Sequence, residues 1–191
     1  MEATINIFYI DHDPTQSAMW MVDKHVVKMI LESAQLLSTA HRVLDGTMQE
    51  KQRMIPKTVD NPKYRKHKTW ILEDQRQDIM YQATHINHPS AVWCRASIEN
   101  YAWLVDHYFA LMSEYTYRYH KQHKCFDMAY YLQSPPKNLE DYDWTPMPSC
   151  MADEYVISDD PLTNYRNYYK IGKASMHKWT NREPPEWILS A

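Results

Sequence analysis

Glycine is almost missing from this chain of 191 residues; Gly46 and Gly172 are the only two. A phosphate-binding P-loop and a dinucleotide fingerprint each need several glycines in one tight turn, so both are excluded. A G-x-S-x-G nucleophile elbow is excluded on the same count. So little glycine also argues against a β-rich fold with many tight turns, and fits helices joined by Pro- and Asn-containing loops. Cysteine is scarce as well. Cys94, Cys125 and Cys150 are far apart, odd in number, and form no C-x-x-C. A disulfide framework and a cysteine-rich zinc site are therefore not expected, and the thiols read as reduced fillers. No apolar run approaches the length of a membrane span, and mean hydropathy is -0.69. The start Met1-Glu2-Ala3-Thr4 lacks the basic and apolar regions of a signal peptide. The expectation is a soluble cytoplasmic protein with no membrane partner.

An excess of positive charge is also lacking. Net charge is -3 and pI about 6.3, so the overall balance gives no support for nucleic-acid binding. The distribution is more polar than the sum. From Lys51 to Lys68 there are seven cations (Lys51, Arg53, Lys57, Lys63, Arg65, Lys66, Lys68) and one anion, Asp60, which is +6. From Glu140 to Asp160 there are seven anions and no cation, which is -7. These stretches read as a basic loop over 47–66 and a Pro-rich acidic loop over 134–160. They are either two solvated loops or a field that guides an anionic ligand to one side.

What is present is a globular composition, 44% hydrophobic and 13% aromatic, in a chain long enough for one real core. Residues 5–10 form a short apolar run. Asp13-Pro14 starts a helix, with Asp as cap and Pro at the first position, and the helix is expected to run from about 14 to 45, stopped by Gly46. Further helices are expected over 67–83, from Pro89, over 97–123, over 126–132 and over about 161–176. The expected fold class is all-α: a compact single domain of two long packed helices plus shorter ones, with an extended N-terminal arm (1–13).

On the first long helix His25, Lys28, Glu32, Gln35 and Thr39 share an arc roughly 100° wide. An imidazole, an ammonium and a carboxylate thus lie beside a core stripe. A carboxylate in that company, if desolvated, serves as a general acid or base; the plainer reading is a helix-surface pair bridged by Lys28. On the helix over 97–123, Asn100, Trp103, His107, Glu114, Arg118 and Lys121 form another varied polar face. His85-x-Asn87-His88-Pro89 offers imidazoles for a phosphate contact and only weak spacing for a metal. Asp11-His12-Asp13 looks carboxylate-rich, but Asp13 is more simply a cap, and no metal or other cofactor is expected. Asn164 through Lys173 interleaves tyrosines with Arg166, Lys170 and Lys173, either to stack on bases and pair with phosphates or as a tyrosine-rich packing helix.

Taken together these segments resemble the pyrimidine-dimer DNA glycosylases of the phage endonuclease V type. Ile5-Asn6-Ile7 looks like that family's extended arm, His25 and Glu32 like its active-site His and catalytic Glu, and His88-Pro89 like a His-Pro turn before a long helix. Tyr165 through Lys173 resembles its aromatic, basic DNA-facing segment. The resemblance also extends to a phage-encoded group that shares Asp23-Lys24-His25-Val26-Val27-Lys28. It implies base release, with an abasic-site lyase step in which the N-terminal α-amine, here that of Met1, forms a Schiff base at C1′. It implies catalytic roles for Glu32, His25 and Met1. Lys28, His88, Arg95, Tyr165, Arg166, Tyr169 and Lys173 are implied to hold DNA or a nucleotide ligand. Two alternatives remain: a phage protein that binds or cleaves a small nucleotide, such as a host defence signal, and an accessory protein meeting a protein partner through the acidic loop.

Overall fold

The computed structural model describes residues 5–55 and 63–189. Asp13 accepts the Gln16 N–H and Pro14 takes the first position of α1 (Pro14–Trp20). Helix α2 (Asp23–Asp45) follows after a break at Met21 and Val22. The sequence alone predicts one continuous helix from about 14 to 45. It breaks because distant groups capture the backbone there: the Val22 N–H donates to the Tyr169 hydroxyl, 2.9 Å, and the Asp23 N–H to the Lys178 carbonyl, 2.9 Å.

Strands β1 (Thr47–Ile55) and β2 (Lys63–Ile71) form an antiparallel ribbon with Thr47 opposite Ile71. This corrects the all-α expectation, since the chain is mostly helical with a two-stranded sheet. Of the basic loop expected over 47–66, residues 47–55 and 63–66 are ribbon and 56–62 lie outside the described residues, and the helix expected over 67–83 is strand as far as Ile71 followed by the single turn of α3 (Arg76–Ile79). Arg42 explains why no longer helix forms. Its guanidinium donates to the carbonyls of Trp70, Gln77, Met80 and Tyr81 and to the Gln77 side chain. Carbonyls that a helix would bond internally are held by one fully buried side chain. Gly46 lets the ribbon return this closely, because a Cβ there would lie 2.5 Å from the Arg42 carbonyl oxygen and 3.2 Å from that of Ile71.

Arg42→Met should therefore cost about 3–5 kcal/mol by stranding several buried carbonyls, lowering Tm by roughly 10 °C. Arg42→Lys should not restore it, because one ammonium cannot span those acceptors. Thermal melts of both variants check this; unchanged melting would contradict it.

Among the described residues the remaining α-helices are α4 (Pro89–Cys94), α5 (Ile98–Tyr119), α6 (Ala129–Leu132), α7 (Pro161–Gly172) and α8 (Glu186–Leu189). Helices α1 and α2 both pack on α5. The arm runs extended through this core, and burying Ile5, Ile7 and Ile10 is worth about 1.5–3 kcal/mol each. The polar face of α5 is buried too. Glu114 and Arg118 pair at 2.6 Å, Arg118 reaches Asp23 at 2.9 Å and Arg182 reaches Glu114 at 2.9 Å. Through Arg118 and Asp23 these pairs hold α5 to the start of α2. Segment 134–160 lies along the molecule in irregular form, with one short turn at Asp153–Tyr155. No helix among the described residues is long and apolar enough to cross a membrane.

Candidate functional site

A cavity of about 790 Å³ opens at the N-terminal end of α2, a size suited to a small ligand. Its wall is assembled from separate stretches of chain. Helix α2 contributes Lys24, His25 and Lys28, the cap of α4 contributes His88, and the end of α7 leads into Lys173. Of the residues singled out in the sequence, His25, Lys28, His88 and Lys173 thus meet around one hollow. Among the described residues this wall carries three ammonium groups and two imidazoles and no carboxylate.

Glu32 lies immediately behind that wall and is 7% exposed. Its Oε1 pairs with Lys28 Nζ at 2.9 Å, one turn back on the helix. Its Oε2 accepts the Asn6 backbone N–H at 2.9 Å. The carboxylate therefore ties the arm to α2 and aims Lys28. Asn6 completes the tie: its Oδ1 accepts from the Ile7 and Phe8 N–H groups and from the Tyr165 hydroxyl, and its Nδ2 donates to the Cys150 carbonyl. This bracket holds Phe8 at φ 57, a left-handed conformation that costs a side-chain-bearing residue about 1–2 kcal/mol. The strain places the Phe8 ring on the His25 ring, centroids 4.2 Å apart, and parallel to Tyr168 at 5.9 Å. Lys173 Nζ lies 5.6 Å from the Phe8 centroid and 4.6 Å from that of Tyr168, held by the ring faces and, among the described residues, by no ion pair.

His25 is 3% exposed. Burial, then the Lys173 and Lys28 ammonium groups, push its pKa down to about 3, so the ring is neutral at pH 7. Tyr169 Oη already accepts the Val22 N–H and is 2.9 Å from His25 Nδ1. The arrangement that satisfies both groups has Tyr169 donating to Nδ1, which leaves the ring proton on Nε2. His88 Nδ1 accepts the Ser90 N–H at 3.2 Å, which again leaves Nε2 as the donor. Burial, then His85, lowers the His88 pKa. The wall thus offers neutral N–H donors beside cationic ones.

The other residues singled out lie elsewhere. Tyr169 is fully buried behind His25 and fixes its ring. Tyr165 is also fully buried, bonded to Asn6 and to the Pro148 carbonyl. Neither presents a face to a base. Arg166 donates to the Ile10 carbonyl, pairs with Asp11 and lies between the Trp20 and Trp187 rings. Arg95 donates to the Ala91 and Ile86 carbonyls. Both guanidinium groups are thereby occupied in holding backbone. Met1 lies outside the described residues.

Several lining residues carried no signal of their own. Phe8 belongs to an apolar run that reads as core, and Tyr168 to a tyrosine cluster in which any ring qualifies. Ser149 and Cys150 reach the cavity from the acidic loop. Asp11 and Asp13 serve locally, as partner of Arg166 and as cap. Comparison with family models, characterised proteins and solved structures returns no match to this chain.

Proposed function

We propose that this chain is a phage-type enzyme acting on the N-glycosidic bond of a pyrimidine nucleotide in DNA, with one nucleotide unit received in the cavity. The convergence of His25, Lys28, His88 and Lys173 on a wall without carboxylates, with Glu32 directly behind it, carries this reading. Ammonium and imidazole N–H donors suit phosphate oxygens, and the Phe8 and Tyr168 rings suit a base. In this account a phosphate draws Lys28 away from Glu32 and frees Oε1. Glu32 then takes a proton from the attacking water as the water oxygen bonds to C1′ and the C1′–N bond breaks toward the base. His25 stays neutral and donates from Nε2. On this reading the reaction takes place in the host-cell cytoplasm.

The reaction is tested by incubating the protein with UV-irradiated and undamaged duplex DNA and measuring free base, with borohydride added to trap any Schiff base. Base release is expected from one or both. Nucleotide binding with no base release from either would overturn the enzymatic reading. A second reading, a protein that holds a small nucleotide without cleaving it, is favoured by one observation: both Glu32 oxygens already have partners.

Either reading makes Lys173 a ligand contact. Lys173→Ala should weaken a pyrimidine nucleoside monophosphate about tenfold or more, the value of a charged hydrogen bond. Calorimetric titration at low salt measures it; an unchanged Kd would remove Lys173 from the site.

A further inference from the structure

The ribbon of β1 and β2 has no part in the cavity, which lies at the other end of α2. Its base is fixed by Arg42, and its strands then run out with Thr47 to Gln52 and Lys66 to Lys68 exposed. Nine residues per strand give it a length of about 30 Å. The described strand residues carry six Lys and Arg (Lys51, Arg53, Lys63, Arg65, Lys66, Lys68) against one acid, Glu50, a net +5. The pairing sorts these charges. Glu50 lies opposite Lys68 and pairs with Lys66 at 3.4 Å, so one set of alternating positions sets two lysines against one acid. Lys51 lies opposite His67, Arg53 opposite Arg65, and Ile55 opposite Lys63. This other set is cationic with no acid in it.

We propose that this ribbon is a contact arm for duplex DNA, gripping phosphates without reading sequence. A two-stranded ribbon fits the major groove, and a row of cations along it matches the spaced charge of the backbone. The inference extends the reading of the cavity as a nucleic-acid site but rests on the ribbon alone, and it stands whether or not base is released.

The test compares wild type with the triple variant Lys51→Gln, Arg53→Gln, Arg65→Gln, and with Lys66→Gln, Lys68→Gln, by titrating a short duplex at several salt concentrations. The triple variant should bind at least about tenfold more weakly, and the slope of log K against log salt should fall by about 2–3, near 0.9 per lost phosphate contact. Binding of a pyrimidine nucleoside monophosphate should not change, which also shows that the variants are folded. Absence of duplex binding by wild type would overturn the proposal while leaving a nucleotide-binding cavity intact. Unchanged affinity and slope in both variants would overturn it as well. So would variants that lose binding to phosphatidylserine–phosphatidylcholine vesicles while keeping the duplex. Ribbon-dependent duplex binding with no base release would leave the arm standing and overturn the glycosidic reaction.

Discussion

Glu32→Gln is expected to lower base release by about 10²–10⁴-fold, the usual contribution of a positioned proton acceptor. The substitution keeps shape and burial. It removes the negative charge and turns one of two acceptor oxygens into a donor. That new donor faces either Lys28 Nζ or the Asn6 N–H, so one of the two bonds is lost and the fold weakens by about 1–3 kcal/mol. Activity is therefore compared well below the melting temperature. Nucleotide binding should stay within about threefold, because the phosphate donors on the wall remain. Glu32→Asp keeps the charge but shortens the reach, and should retain part of the turnover. Full turnover in Glu32→Gln would remove the proton role and leave Glu32 as the bracket for Asn6 and Lys28.

The second large effect concerns acid. Burial first of all lowers the pKa of His25 to about 3 and of His41 and His107 to about 4. All three rings are buried. The unfolded chain titrates these groups near 6.5. Between the folded and unfolded values the unfolded state binds more protons, so stability rises with pH through that window and is lost on acidification below about 6.5. Each group contributes up to about 1.4 kcal/mol per pH unit in that range. At pH 5 the three together take away on the order of 5 kcal/mol relative to pH 7.5. The depressed carboxylates Asp23 and Asp45 act only below their own unfolded values near 4, so they do not mask the trend. Melting followed from pH 7.5 to 5 should fall steadily by more than 10 °C. A flat profile would show that the imidazoles are charged or exposed in the fold.

The residues that were legible are those whose role follows from local spacing. The arc of His25, Lys28 and Glu32 is set by helical period alone, and Asp13-Pro14, His88-Pro89 and Asp160-Pro161 start helices because each carries its own cap. What was not legible depends on partners far along the chain. The break before α2 needs Tyr169, 147 residues away. The loss of a helix over 67–83 needs Arg42. The ribbon was hidden because Thr47 to Ile55 lacks alternation of apolar and polar residues, the signal a half-buried strand leaves; an exposed strand has no such pattern. Tyr165 and Arg166 look available for DNA in sequence, but Tyr165 is buried against Asn6 and the Arg166 guanidinium is taken up by the Ile10 carbonyl and Asp11. Lys173 in the same segment ends up free of ion pairs among the described residues, over two aromatic faces.

Recognition of a phosphate by the hollow at the start of α2 is what the proposed function requires. Its most direct test is calorimetric titration of wild type with a pyrimidine nucleoside and with the corresponding monophosphate under identical low-salt conditions. The monophosphate should bind at least about tenfold more tightly, and this advantage should disappear in the double variant Lys28→Ala, Lys173→Ala. Equal affinity for the two compounds, or an advantage that survives in the double variant, would contradict it.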